Sequence, residues 1–301
     1  MLVGVRGEAV VLETDWSRLV RQLRDGKCTP FLGAGACHPT LPTGGELSKT
    51  LADEYGYPFT DRSDLSRVAQ YVAVMNDPDT VKQRVAEMIN EAGYPDFASE
   101  SEPHGLLAKL PLPVYVTTNY DGFMAQALER EGKAPHTATC RWWGKLSSDA
   151  PRAAGSDHDP SPAQPIVYHL HGSSQEDLSS LVLAEVDYLE FLLNLTVDHG
   201  KDGRIFLPAP VLDALTKPLL FIGYSLQDWT FRAIFHGLLR TIAGVRHRRH
   251  VSVQLLPPLH SSPEALNSAE LYLNRYFNDW KVSVYWGTAQ AFCTELRGRL
   301  A

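Results

Sequence analysis

The sequence predicts an α/β protein in which a doubly wound parallel sheet carries an inserted all-helical lobe. Three observations predict it. Short apolar, β-branched runs alternate with segments of helical periodicity along most of the chain. Three of those runs end in turns rich in Gly, Asn or His, which places polar chemistry beyond the carboxyl ends of strands. Residues 45–104 carry helical spacing alone, so they read as an insertion between a core of 1–44 and 105–301. At 301 residues with 44% hydrophobic side chains, one sheet and one inserted lobe account for the length.

Taken in order, Thr14-Asp-Trp-Ser17 offers a helix start, Leu19, Val20 and Leu23 recur at helical spacing, and Gly26 is a stop. Cys28 to Leu32 is a short strand running into Gly33-Ala34-Gly35. Within the insertion, Glu46 to Tyr55, Asp64 to Met75 and Pro78 to Ala92 read as helices, punctuated by Gly56, Pro58, Pro78 and Gly93. Pro113 to Thr118 is β-branched and aromatic, and Asn119-Tyr-Asp121 separates it from a helix over Phe123 to Glu131. Gly144 to Pro165, rich in Ser, Asp, Pro, Ala and Gly, reads as an exposed loop before a strand at Ile166 to Leu170. A helix is expected at Leu181 to Leu195 and a loop at Asp198 to Arg204. Lys217 to Ile222 is continuously apolar, the signature of a strand covered on both faces, and Gly223-Tyr-Ser-Leu-Gln-Asp228 follows it. Helix Trp229 to Thr241, strand Val251 to Leu256, helix Pro263 to Phe277 and strand Lys281 to Tyr285 complete the alternation.

Composition excludes some function classes. A net charge of −7 argues against a nucleic-acid or anionic-membrane footprint, which needs clustered positive charge. Arg246-His-Arg-Arg-His250, the sole basic run, reads as a solvated turn. Cys28, Cys37, Cys140 and Cys293 make no C-x-x-C pair, so they read as reduced thiols rather than a zinc or redox motif. The start lacks the basic and apolar regions of a secretion signal, and no run reaches the ~20 apolar residues that span a bilayer. A cytoplasmic location is expected.

Four segments carry the chemistry. Gly33-Ala-Gly35 behind a strand suits an anion, because backbone N–H groups can approach it without side-chain obstruction. The same pattern also serves as a packing turn. The third glycine of the dehydrogenase fingerprint is missing and Pro39 stands where a helix should start, which weighs against hydride transfer. Thr117-Thr118-Asn119-Tyr-Asp121 sets an amide and a carboxylate at a strand end, either to orient ribose hydroxyls and water or to form an Asx turn before the next helix. His169 and His171 share one strand face, and three readings compete: a satisfied structural histidine, half of a metal site, or a general base. No second ligand cluster is legible, since Asp157-His-Asp159 falls in the loop, so no metal is expected. Gly223-Tyr-Ser225-Leu-Gln227 looks like a nucleophile elbow, but Gln227 occupies the second glycine position. The turn can instead present N–H groups and the Ser225 hydroxyl to a phosphate or ribose, with Asp228 as helix cap.

In this order the glycine turn, T-x-N-x-D, L-H-G and G-x-S-L motifs resemble the sirtuin superfamily, and more closely the zinc-free sirtuin-like NAD hydrolases of bacterial anti-phage defence. The resemblance runs from about Trp16 to Leu296 and includes Tyr188-Leu-Glu-Phe191. It implies a Rossmann-like core with NAD as substrate. It further implies that Gly33, Ala34 and Gly35 hold the pyrophosphate, Asn119 and Asp121 face the nicotinamide ribose, and His171 acts as base. Thr118, Gly223, Ser225 and Asp228 complete the dinucleotide contacts, and His169 is not carried over. Two departures disfavour protein deacylation: there is no four-cysteine zinc module, and Cys37-His-Pro-Thr-Leu-Pro-Thr-Gly44 replaces the family's Ile-Pro-Asp-Phe-Arg type loop. Water is then the expected acceptor. A non-catalytic NAD-sensing module is the rival reading, and activity is expected to be gated by self-association or by a sensor partner, so that a dilute monomer is not fully active.

Overall fold

The computed structural model describes residues 13–142, 158–197, 206–224, 249–254 and 281–301, together with positions 232, 268, 271–272 and 275–276. The elements are α1 (Glu13–Arg24), β1 (Thr29–Leu32), α2 (Gly44–Glu54), α3 (Leu65–Met75), α4 (Pro78–Glu91), α5 (Pro103–Ala108), β2 (Val114–Thr117) and α6 (Phe123–Arg130). There follow β3 (His136–Thr139), β4 (Ile166–His169), α7 (Glu185–Val197), α8 (Ala209–Leu215), β5 (Leu219–Tyr224), β6 (His250–Gln254), β7 (Val282–Trp286) and a C-terminal helix, α9 (Ala289–Leu300). Most of the expected helices at 229–241 and 263–277, the loop at 198–204 and residues 144–157 of the loop expected at 144–165 lie outside the described residues.

Seven strands form one sheet in the order β3-β4-β2-β1-β5-β6-β7, and every neighbouring pair is parallel. From β1 the chain passes to β2, out to the edge at β3 and back to β4, and from β5 it moves outward on the other side to β6 and β7. That reversal beside β1 opens a crevice at the carboxyl ends of β1, β2 and β5, where ligands of such sheets bind. The doubly wound Rossmann-like sheet expected from the sequence is borne out.

The two-residue period of the strands divides the core into two layers. Phe31, Val114, Val116, Ile166, Tyr168, Leu219 and Phe221 point to one face, with Phe191 of α7 and Val211 of α8. Leu32, Tyr115, Val167, Leu220 and Ile222 point to the other, with Trp16, Phe123 and Phe292. Trp16 of α1 stacks on Phe292 of α9 at 5.2 Å, which locks the two terminal helices together.

Helices α2 to α4 build a third apolar cluster of Leu47, Leu51, Val68, Val72, Val81 and Val85. Each begins on a side-chain cap: a capping box at Thr43 and Glu46, then Asp64 and Asp77. The cluster joins the sheet layer through Leu183 and Ala184 and through a buried ion pair between Lys82 and Asp187, 3.1 Å apart.

Two differences from the sequence reading have physical causes. The helix expected from Leu181 begins at Glu185, because the Asp187 carboxylate accepts the N–H groups of Leu183 and Ala184 and so fixes the start there. Leu181 to Ala184 is instead buried, apolar chain that plugs the seam between clusters. The short α5, α8 and β3 escape notice because one or two turns, or four residues with an exposed half, give no resolvable period. Among the described residues no helix is long and apolar enough to cross a membrane.

Candidate active site

A cavity of about 580 Å³ lies at the carboxyl ends of the strands, within the range of small-molecule sites. Its walls include Ala34, Gly35, Thr118, Asn119, Asp121, His171 and Gly223. Gly33 is absent from the lining, while Ser225 and Asp228 lie outside the described residues.

Beyond β1 the chain makes a single 3-10 turn, Ala34–Ala36, rather than the start of a long helix. Gly33 N–H donates to the Ile222 carbonyl, and Ala36 N–H donates to the Gly33 carbonyl. β5 passes so close that a Cβ on Gly223 would lie 2.2 Å from Ala36 N and 2.4 Å from the Gly33 oxygen. Gly223 also has φ +86°, the left-handed region that glycine tolerates. Gly33 and Gly223 therefore serve the close approach of the two strands, as the packing-turn reading expects, while Ala34 and Gly35 line the cavity.

At the end of β2, Thr118 N–H donates to the Leu32 carbonyl at 2.9 Å, and its hydroxyl meets the Tyr224 hydroxyl at 2.8 Å. The Asn119 amide donates to the Gly33 carbonyl and to Cys37 Sγ, each at 3.1 Å. Asp121 divides its labour. Oδ1 accepts Phe123 N–H in an Asx turn before α6, and Oδ2 accepts the Cys37 thiol at 3.1 Å.

The two histidines do not share a strand face as expected, because β4 ends at His169 and His171 lies in the turn beyond it. His169 Nδ1 lies 3.1 Å from the Asn119 carbonyl, a structural contact that steadies the T-x-N-x-D turn. His171 sits edge-on between Tyr188 and Phe191, at 5.3 and 5.0 Å, and its buried Nε2 has no hydrogen-bond partner among the described residues. Burial among these rings pushes its pKa down to about 3, so the imidazole is neutral at cellular pH.

Two features escape the sequence reading. Pro42, Thr43, Leu47, Leu65, Met88 and Ile89, from the approach to α2 and from α2 to α4, cover the cavity. Beside it, Cys37, Asp121, His104 and Glu102 form one buried cluster. His104 Nε2 is 3.9 Å from Cys37 Sγ, and its Nδ1 is 2.6 Å from Glu102 Oε1. Burial first, then the Asp121 carboxylate, pushes the Cys37 thiol well above its usual range, so it is protonated. The Glu102-x-His104 pair on α5 was the only signal available, and nothing in the sequence links it to the glycine turn.

Residues 113–285, more than half of the chain, match the SIR2-like domain family. The chain is 28% identical over 248 residues to the NAD(+) hydrolase ThsA of Cytobacillus dafuensis, covering 81% of this chain and 45% of that protein. It is 27% identical over 213 residues to the NAD(+) hydrolase ThsA of Acinetobacter baumannii (strain 532279), covering 70% and 39%. For that of Bacillus cereus (strain MSX-D12) the identity is 26% over 215 residues, covering 69% and 39%. The chain spans less than half the length of these curated relatives. A parallel sheet with its cleft beside β1, ordered motifs at four strand ends and a family match over most of that sheet lead to one conclusion: the chain belongs to the SIR2-like family.

Proposed function

We propose that this chain is an NAD+ hydrolase that breaks the nicotinamide N-glycosidic bond with water as acceptor, yielding nicotinamide and ADP-ribose, linear or cyclised. The observation that carries the reading is that Asn119 and His171 line one cavity of a SIR2-like sheet. The names of the relatives support it. Nicotinamide leaves as a neutral molecule from a cationic ring, so little acid assistance is required. Asn119 and Asp121 would hold the ribose and the attacking water. Water bonding to an oxocarbenium-like carbon becomes strongly acidic, so a neutral imidazole of low basicity such as His171 suffices to accept its proton. Ala34 and Gly35, with Thr118 and Gly223 beside them, would offer a phosphate-sized corner, and Ser225 and Asp228 belong to the same proposal. Turnover on this reading requires no metal.

Depletion of NAD suits an effector in anti-phage defence, and such an enzyme must be restrained in an uninfected cell. We place it in the cytoplasm, which its four buried free thiols support. Gating, in which self-association, a sensor partner or a fused sensor domain switches activity on, is part of the proposal. Val186, Leu189 and Leu193 form an exposed apolar ridge on α7 that supports self-association. Incubation of purified protein with NAD, followed by chromatography, tests the reading. Free nicotinamide without added metal or peptide is expected. NAD bound but recovered intact would favour the sensing module, and product only with an acylated peptide would favour deacylation.

A further inference from the structure

Cys37, His104 and Asp121 each turn one ligand atom toward a common point, all within 4.8 Å of one another and all buried. Proton counting shows what is missing there. His104 Nδ1 faces Glu102, a carboxylate that also accepts Gly105 N–H, so the ring proton sits on Nδ1 and the Nε2 lone pair faces Cys37. Asp121 Oδ2 brings more lone pairs, and the Asn119 amide donates to the sulfur rather than receiving from it. One thiol proton therefore serves two acceptors, the carboxylate at 3.1 Å and the imidazole at 3.9 Å.

We propose that this cluster is a binding site for a divalent transition metal of zinc type, held by Cys37 Sγ, His104 Nε2 and Asp121 Oδ2, with its fourth position toward the cavity. Zinc bonds of about 2.0–2.3 Å in a tetrahedron separate sulfur from nitrogen or oxygen by about 3.5 Å. The present sulfur separations of 3.1 and 3.9 Å bracket that value, and His104 Nε2 and Asp121 Oδ2, within 4.8 Å of one another, need to close to about 3.3 Å on binding. Glu102 on His104 Nδ1 and Asn119 on Cys37 Sγ supply the outer contacts that orient such ligands. Cys37 and Asp121 line the cavity, which gives the ion a route in. On binding, the Cys37 S–H bond breaks, its electron pair bonds to the metal, and the proton leaves to solvent. On the proposed NADase reading, an ion there occupies the corner that Asn119 and Asp121 need for ribose, so the metal is a reversible inhibitor.

Cobalt(II) and zinc titrations of the purified chain test this. A thiolate-to-cobalt charge-transfer band saturating at one metal per chain is expected, with one proton released. X-ray absorption of the zinc form is expected to give one sulfur at about 2.3 Å. Folded Cys37→Ser and His104→Gln variants lose the band, and Cys28→Ser keeps it. A zinc shell without sulfur, or an unchanged band in folded Cys37→Ser, overturns the site without touching the NADase proposal. The X-ray absorption of the parent protein decides the matter even where variants fail to fold. Nicotinamide release in one equivalent of zinc is expected to fall at least tenfold and to return with chelator. Unchanged release at saturation overturns the inhibitory role alone.

Discussion

The two walls of the cleft are built on opposite principles. On the glycine-turn side, Asn119, Cys37, Asp121, His104 and Glu102 interlock side chain to side chain through contacts of 2.6 to 3.9 Å. On the β4–α7 side, His171 stands between aromatic rings with its Nε2 unpaired. Leaving a buried polar group unmatched costs about 1–3 kcal/mol, and proteins rarely tolerate it without cause. One wall is held by polar contacts, the other by aromatic packing.

The sharpest way to break this comparison is His171→Ala. Nicotinamide release is expected to fall by about 10²–10⁴-fold while the protein stays folded. Parental rates in that variant would leave the unpaired nitrogen without a catalytic role. Next in size is the tie that holds the His171 wall in place. Lys82→Met strands the buried Asp187 carboxylate, and denaturant unfolding should show a loss of about 3–5 kcal/mol, a value near zero meaning that α7 is held by packing alone.

The titration of His171 sharpens the contrast further. Its pKa is about 3 folded against 6.5 for the free side chain, so between those values the unfolded chain holds the extra proton. Its contribution to stability is complete above about pH 6.5 and shrinks as pH falls toward 3, by at most about 1.4 kcal/mol per pH unit. His171→Gln should flatten the stability profile by that slope. In kinetics, kcat/KM should show no inflection from this imidazole between pH 5 and 8, and one near 6.5 would mean that the ring is hydrated rather than dry. Smallest of all is Tyr224→Phe on the committed wall. The lost bond to the Leu32 carbonyl, 2.8 Å long, is worth about 1 kcal/mol in thermal or chemical unfolding.

The sheet was legible because its signal is local. Phe31 and Leu32, or Tyr115 and Val116, declare two covered faces within a few residues, and Asp64 and Asp77 mark helix starts by their own chemistry. Asn119, Asp121 and His171 were found because each follows a strand, and a parallel sheet brings strand ends together whatever their separation along the chain. Cys37 and His104 were not, since 67 residues divide them and His104 lies on a two-turn helix with no periodic signature. The start of α7 was misplaced for a related reason: Leu181 to Ala184 looks helical by composition, and only the Asp187 carboxylate, folding back on two N–H groups, dictates otherwise.

The Lys82–Asp187 pair has a mechanical corollary. Asp187 precedes Tyr188, whose ring abuts the His171 imidazole, while Lys82 belongs to the helical cluster over the cavity. A regulator that shifts that cluster must either rupture a dry ion pair or drag α7 and the aromatic collar of His171 along with it. The helical cover and the aromatic collar are thus coupled mechanically, and force applied outside the cleft arrives at a single imidazole.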